Sequence, residues 1–281
     1  MLRILGALLL LILAFSTQTS ASIPDEKVTD RTLNLCYFKW QPYGHKLDAR
    51  PGTDVQHRGI AVDVARKAAE LQGKQVNLHQ EPYKRCVAAV AENLYDGTIY
   101  YVPNYDIGIH RVQESFMGHV AAFFVHAESP HLGYEGLEQF SRQTVAVLRG
   151  GSSVAWLQQN PDLNLYKVNR QDYLWQMVRG KRVDASIDDY LTMRAIGKVA
   201  DTSVRALRPM ARYAPTYMGF SEKNKHEVSA WNQAIQQLKS NGVMDRIYLD
   251  HIYISYSELQ ERLAPLKEKS RAYNQKATAD K

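Results

Sequence analysis

The chain has 281 residues, 45% of them hydrophobic, and a net charge of +6, which suits one large domain or two ordinary ones with a sizeable core. Most of this net charge lies near the two ends, since Arg3 contributes +1 and residues 267–281 contribute a net +3. The charge left on the central part is too small to indicate nucleic-acid binding. Residues 265–281 are rich in Lys and Ala without an apolar period, which predicts a disordered basic tail.

Residues 1–21 have the pattern of a secretory signal peptide. Arg3 precedes an apolar run from Ile4 to Phe15, and small residues follow up to Ala21, the order that signal peptidase substrates show. No later run reaches the ~18 apolar residues that a membrane span requires. The mature protein is therefore predicted to be exported.

Two cysteines, Cys36 and Cys86, lie in separate predicted elements. In an exported protein such a pair more often forms a disulfide than two free thiols. Neither cysteine has the spacing of a metal site. We therefore expect a structural disulfide, no metal and no cofactor.

The first half of the chain alternates between strand and helix patterns. The segments with β-branched and aromatic residues predict strands, and the apolar spacing of three and four residues from Ile60 to Leu71 predicts a helix. In chain order they are Thr32–Phe38, the helix after Gly59, Val76–Gln80, the helix after Tyr83, and Thr98–Val102. This order predicts a parallel α/β sheet.

A long apolar run, Phe116 to His126, predicts a strand that leaves one sheet and enters another. The next strand, Thr144–Leu148, ends in the glycine-serine segment Arg149 to Ser153, which opens a helix. Such a turn presents backbone N–H groups to an anion, although it lacks the lysine of a phosphate loop. An ordinary strand-to-helix turn is the equally weighted alternative.

In the remaining part of the chain, another predicted strand ends in polar residues just before a helix. Ala185–Ile187 predicts a strand that ends in Asp188 and Asp189, and paired aspartates at a helix start are most often N-caps. A strand is predicted at Tyr213–Phe220. Helices follow at His226–Lys239 and near Ser257–Leu263.

Arg111 stands just past the carboxyl end of the Thr98–Val102 strand. Ligands of open α/β sheets collect outside the carboxyl ends of the strands, and a guanidinium matches a carboxylate with two parallel hydrogen bonds. Arg111 is thus a candidate ligand clamp. A surface arginine in a polar loop is the alternative.

Several separate segments together resemble solute-binding protein family 3, the periplasmic binding proteins of polar amino acid ABC transporters. The similarity extends over roughly residues 31–263, and its segments are Trp40 to Tyr43, Gly59 to Val64, Tyr83, Asp96-Gly97, Arg111 ahead of Phe116, Thr144 to Val147 with Gly150 to Ser153, Val183 to Ala185 with Asp189, and Asn241-Gly242.

The resemblance implies an α/β fold, the type II periplasmic-binding-protein clamshell with two lobes and two hinge strands. Lobe 1 would hold residues 30–120 and 215–264, and lobe 2 would hold residues 121–214. A ligand would be enclosed between the lobes as they close about the hinge.

The resemblance also implies roles for individual residues. Arg111 would clamp the ligand α-carboxylate, and Asp189 would pair with its ammonium. Trp40 and Tyr83 would form aromatic walls, while Gly151 and Ser152 would present backbone donors to the carboxylate.

Three places depart from the family pattern, and one is Leu148-Arg149, where many members carry a polar or basic residue and then a small one. Asp106 would add an acid beside Arg111, which argues against a simple α-amino acid as the ligand. Tyr37 stands where polar amino acid binders often have an acid, which favours aromatic or apolar ligand parts.

The function predicted is capture of a small amino-acid-like or carboxylate ligand in the periplasm, without catalysis, by a monomer that delivers it to the membrane permease of an ABC transporter. One alternative is a sensory binding protein that feeds no transporter. Another is a dehydratase-like enzyme on the same fold, whose general acid would be His110, His119 or Glu114.

Overall fold

The computed structural model describes residues 31–47, 56–102 and 108–279. The predicted signal peptide, residues 1–21, and Asp106 lie outside this part of the chain. Within it, every helix is either too short or too polar to span a bilayer.

Twelve strands and eight α-helices make up the described chain. The strands are β1 (Thr32–Tyr37), β2 (His45–Lys46), β3 (His57–Arg58), β4 (Gln75–Gln80), β5 (Gly97–Tyr101), β6 (His110–Arg111), β7 (Met117–His126), β8 (Thr144–Leu148), β9 (Asn164–Val168), β10 (Ala185–Asp189), β11 (Val204–Ala206) and β12 (Arg212–Phe220). The helices are α1 (Ile60–Glu70), α2 (Tyr83–Ala91), α3 (Val154–Leu157), α4 (Gln171–Arg179), α5 (Tyr190–Ala195), α6 (Glu227–Ser240), α7 (Val243–Ile252) and α8 (Tyr256–Ala279).

The sheet runs in the order β4-β1-β5-β12-β7-β10-β8-β9, with β6 beside β12 and β11 beside β7. The first half of the molecule contains β1 to β6 with α1, α2, α6 and α7. Its strand β1 is parallel to both β4 and β5. The second half contains β8 to β11 with α3, α4 and α5, and its strand β8 is parallel to both β9 and β10.

Strands β7 and β12 belong to both halves. Their antiparallel pairing joins residues 117–121 to residues 212–216. Beyond that shared stretch β7 pairs with β10, while β12 pairs with β5. The predicted strand that leaves one sheet and enters another is therefore β7. The residue limits of the two lobes stay a prediction.

The apolar core consists of a large cluster that extends over both halves and a smaller cluster within residues 121–211. In the first half, Ile60, Val64 and Ala68 form the buried side of α1 and pack in the cluster that contains β1. In the second half, Phe123 of β7 and Ile187 of β10 belong to a separate cluster. Apolar side chains spaced by one helical turn, or by two strand residues, bury one face of each element.

The predicted disulfide is confirmed. Cys36 of β1 and Cys86 of α2 are bonded, with Cα atoms 5.6 Å apart. Both residues are fully buried and pack with Val90. The bond joins the first strand to the helix that precedes β5.

Helix α8 continues to Ala279, through the segment from residue 265 for which the sequence predicted a disordered tail. Leu263 is buried and Leu266 packs against the core. Ser270 is buried and its hydroxyl accepts a hydrogen bond from the backbone N–H of Tyr213 in β12, 2.9 Å away. A few contacts with β12 therefore hold a helix whose sequence shows no sustained apolar period.

Candidate ligand-binding cleft

A cavity of about 570 Å³ lies between the two halves and is lined by residues of both. It is located past the carboxyl ends of β1 and β8 and beside the end of β10. This is the crevice in which open α/β sheets bind ligands, and its volume suits a small molecule.

One wall of the cavity is aromatic. The rings of Phe38 and Trp40 are stacked, with centroids 5.7 Å apart and planes at 8°. Tyr83 meets Phe38 edge-on, with centroids 5.0 Å apart. The structure therefore brings Trp40 and Tyr83 to the cavity, and adds Phe38. A flat aromatic wall favours a ligand with a planar or apolar face.

Trp40 is held in place from the other half of the molecule. Its Nε1–H donates to Oγ1 of Thr192, 3.0 Å away, and the Thr192 hydroxyl donates to the carbonyl oxygen of Gln41, 2.7 Å away. These hydrogen bonds connect the loop after β1 to helix α5. The aromatic wall is thus positioned by both halves.

The glycine-serine segment after β8 also lines the cavity, so Gly151 and Ser152 lie where the sequence predicted them. The N–H of Gly151, however, donates to the carbonyl oxygen of Leu148, 2.9 Å away. The N–H of Ser152 has no acceptor among the described residues. Of the two expected backbone donors, Ser152 is the one whose N–H is available to a ligand.

Asp189 does not line the cavity. It is fully buried, and it caps α5 by accepting a hydrogen bond from the backbone N–H of Thr192, 2.7 Å away. Its other carboxylate oxygen accepts from the backbone N–H of Val120 in β7, also at 2.7 Å. Both oxygens are therefore occupied, and the expected pairing of Asp189 with a ligand ammonium is not supported by this placement.

The acid that faces the cavity is Asp188. Its Oδ1 accepts from Nε2 of Gln171 at 2.9 Å and from the N–H of Asp189 at 2.8 Å. Its Oδ2 is buried and has no hydrogen-bond partner among the described residues. Burial raises the pKa of this carboxyl to about 7. An acceptor oxygen that is buried without a partner is costly, and a ligand donor would satisfy it.

Arg111 lies outside the cavity lining. It is an exposed residue of β6, where it pairs with Gly219 of β12. Its guanidinium stacks over the Tyr217 ring, 4.5 Å from the centroid. Such a contact is a favourable cation–π interaction. To clamp a ligand carboxylate, Arg111 would have to leave this ring, and its predicted role stays a prediction.

Tyr37 also lies away from the cavity. Successive strand side chains point to opposite faces, so Tyr37 is fully buried while its neighbour Phe38 reaches the cavity. The Tyr37 hydroxyl lies 2.7 Å from Nδ1 of His57. Burial raises its pKa to about 12. Tyr37 thus packs within the first half and does not contact a ligand in the cavity.

Of the three candidates for a general acid, two lie outside the cavity and one lines it. His110 pairs with Glu222 at 2.5 Å, and Glu114 pairs with Lys239 at 2.5 Å, both outside the cavity. His119 lines the cavity, and burial lowers the pKa of its imidazole, which favours the neutral ring. In the described part of the chain no group of three His, Cys, Asp or Glu side chains is placed to hold a metal ion.

Neither a protein-family model nor a curated protein matches the sequence. Solved structures do match by fold. An ancestral arginine-binding protein bound to arginine is 18% identical, with a TM-score of 0.64, and the match covers 79% of this chain and 98% of that one. An amino acid ABC transporter substrate-binding protein from Streptococcus pneumoniae bound to L-arginine is 14% identical with a TM-score of 0.64, covering 78% and 94%.

An ancestral amino-acid-binding protein that is a precursor of cyclohexadienyl dehydratase is also similar. It is 16% identical with a TM-score of 0.63, and the match covers 78% of this chain and 94% of that one. Together these likenesses confirm the predicted fold class, a two-lobe periplasmic-binding-protein fold with mixed α/β lobes.

Proposed function

We propose that the protein captures a small amino-acid-like or carboxylate ligand between its two halves. The observation that carries this proposal is the cavity between them, with a flat aromatic wall on one side and the unpartnered Oδ2 of Asp188 on the other. Structures of the same fold contain bound arginine or glutamine, which supports the ligand class.

The polar groups of the cavity assign an orientation to such a ligand. Its ammonium or hydroxyl donates to Oδ2 of Asp188, and its carboxylate accepts from the N–H of Ser152. Its side chain or ring lies against Trp40 and Tyr83. The two polar assignments use Oδ2 of Asp188, which is buried without a partner among the described residues, and the N–H of Ser152, which has no described acceptor.

Capture takes place in the periplasm after export, and the ligand passes to the permease of an ABC transporter. The predicted signal peptide and the buried disulfide support export, because disulfides persist in oxidising compartments. The matched transporter binding protein supports the permease as partner. We expect the protein to act as a monomer.

Binding without chemistry is favoured over the dehydratase alternative. Of the three acid–base candidates, His110 and Glu114 lie in surface ion pairs outside the cavity. A catalytic role would require His110 or Glu114 to leave its ion pair and enter the cavity, whereas ligand binding requires no such movement. Incubating the protein with a ligand that binds should return the ligand chemically unchanged, whereas turnover lost on His119→Gln would favour an enzyme.

A thermal-shift screen of residues 22–281 against amino acids and small carboxylates tests the proposal. At least one compound should raise Tm, and Asp188→Asn should weaken its binding by about tenfold or more, because a charge-assisted hydrogen bond is lost. Asp250→Asn, at an exposed position of α7, is the matched control and should bind as the wild type does. If no compound raises Tm, or if Asp188→Asn binds as tightly as the control, the proposal is wrong.

A further inference from the structure

Positive charge dominates the lining of the cavity. Among the described lining residues, three carry a full positive charge, Lys39, Lys84 and Arg149, and one is an acid, Asp188. All three cations are exposed, whereas Asp188 is buried. The cations therefore lie where the cavity meets solvent.

The cations come from both halves. Lys39 follows β1, between two residues of the aromatic wall, and Lys84 is in the first turn of α2. Arg149 follows β8 in the second half. Lys84 reaches across the cavity, because a Cβ added to Gly150 would lie 4.0 Å from its Cε. A ligand between the halves would be approached by positive groups from two sides.

No described acid neutralises these cations by direct pairing. The Nε of Arg149 donates to the neutral amide oxygen of Asn169, 2.9 Å away. Neither Lys39 nor Lys84 forms an ion pair with a described residue. By contrast, Arg85, the neighbour of Lys84 on α2, pairs with Glu81 at 3.3 Å. The cations of the cavity are thus left available to a ligand.

We infer that the ligand carries a net negative charge, with at least one acidic group beyond the carboxylate and ammonium of a simple amino acid. This inference rests on the proposed function. The extra acidic group would lie at the mouth, near Lys39, Lys84 and Arg149, while the ammonium or hydroxyl lies inside, against Asp188. Acidic amino acids and small dicarboxylates with a hydrogen-bond donor have this chemistry.

The same arrangement disfavours a cationic ligand, although proteins of the same fold bind arginine. A cleft lined by one sign of charge raises the local concentration of the opposite ion and speeds its association. A cationic side chain brought beside Lys39, Lys84 and Arg149, which form no ion pair with a described residue, meets repulsion at the mouth of the cavity. Specificity in this cavity would therefore differ from that of the arginine-binding proteins.

Pairs of compounds with nearly the same shape but different charge test the inference. Calorimetric titrations would compare glutamate with glutamine and aspartate with asparagine, and would include malate, a dicarboxylate with a hydroxyl donor, and arginine, in low and high NaCl. An acidic probe should bind at least about tenfold more tightly than its amide or arginine at low salt, and the difference should shrink at high salt because exposed charges are screened.

Substitutions of the three cations test whether these residues cause the preference for acidic ligands. Lys39→Gln, Lys84→Gln and Arg149→Gln, singly and combined, should reduce the preference for the acidic probe stepwise towards unity. Lys223→Gln, at an exposed position before α6, is the control and should keep it.

Each outcome bears on one claim. If glutamine, asparagine or arginine binds as tightly as the acidic probes or more tightly, the proposed function stands and the charge inference is wrong. If the acidic preference survives the combined variant, the assignment to these three residues is wrong. If none of the probes binds, the charge inference is wrong, whereas the proposed function fails only if the thermal-shift screen also finds no compound that raises Tm.

Discussion

At the scale of single residues, Asp188 and Asp189 show how adjacent acids come to have different roles. They end the same strand, and adjacent strand positions face opposite ways. Asp189 points inward, where it caps α5 and holds β7 through two backbone hydrogen bonds. Asp188 points to the cavity and keeps one oxygen without a described partner. The cavity acid is therefore the one that destabilises the empty protein.

Asp188→Asn should stabilise the empty protein in a pH-dependent way. The pKa of Asp188 is about 7 in the folded state and 3.8 in the unfolded state, so between these values the folded state binds a proton that the unfolded state does not. Unfolding free energy attributable to this group thus falls as pH rises from about 4 to about 7.

Chemical denaturation at pH 5 and pH 8 measures this effect. At pH 8 we expect Asp188→Asn to be more stable than the wild type by on the order of 4 kcal/mol, because the pKa of Asp188 is raised from 3.8 to about 7, whereas at pH 5 the advantage should fall to on the order of 2 kcal/mol. The Asp250→Asn control should follow the wild type. Equal stability of Asp188→Asn and wild type at both pH values would show that the carboxylate is not strained by burial.

Some residues that line the cavity could be predicted from the sequence, because they follow the ends of predicted strands. Trp40, Tyr83 and the glycine-serine segment follow strand ends, and the carboxyl ends of parallel strands must converge. Asp188 was missed because a pair of acids before a helix does not reveal which one caps it. Phe38, one position after the predicted Tyr37, is the residue of this pair that lines the cavity.

At the scale of elements, periodic patterns predicted α1, β4, α2 and β5 well, because each buries an apolar face. Helix α8 was predicted only near Ser257–Leu263. Beyond that point its sequence is charged, and its stability comes from contacts with β12 that no local pattern reveals. One is the hydrogen bond from Tyr213 to Ser270, and another is the ammonium of Lys267, 4.9 Å from the centre of the Tyr213 ring.

Ser270→Ala should destabilise the protein by about 1–3 kcal/mol, because it leaves the buried N–H of Tyr213 without an acceptor. Ser240→Ala, which removes a hydroxyl at the exposed end of α6, is the control and should cost less. Urea denaturation of both variants gives the comparison. A disordered tail would predict no effect of Ser270→Ala, so equality of this variant with the wild type would contradict the packing of α8 on β12.

The disulfide between β1 and α2 should also be measurable. Titration of thiols in the denatured, non-reduced protein should find none. Replacing both Cys36 and Cys86 with Ala should cost about 4 kcal/mol in the chain-entropy model, since the bond closes a loop with a sequence separation of 50 residues. Two titratable thiols, or unchanged stability of the double variant, would contradict the structural role of the bond.

At the scale of the whole molecule, the two halves are joined by the shared strands β7 and β12, and contacts beside them hold the halves together. The Tyr43 hydroxyl donates to the carbonyl oxygen of Gly118 at 3.3 Å, and Thr192 bonds to both Trp40 and Gln41. These contacts lie near the shared strands, whereas the cations lie at the exposed mouth. A hinge at β7 and β12 would therefore open the cavity at the charged side.

Ligand binding should make the molecule more compact. Closure of two lobes about connecting strands is a common response to a ligand enclosed between them. Small-angle X-ray scattering of residues 22–281 should show a smaller radius of gyration once a ligand from the screen is added. Asp188→Asn at the same ligand concentration should show a smaller change. An unchanged radius at saturating ligand would contradict closure.

The central claim is that the cavity between the halves binds the ligand and that Asp188 receives its donor. A crystal structure of the complex with a compound from the thermal-shift screen tests this most directly. The account predicts ligand density against Trp40 and Tyr83, with an ammonium or hydroxyl within about 3 Å of Oδ2 of Asp188. Density elsewhere on the protein, or a ligand ammonium paired with Asp189 in place of Asp188, would contradict it.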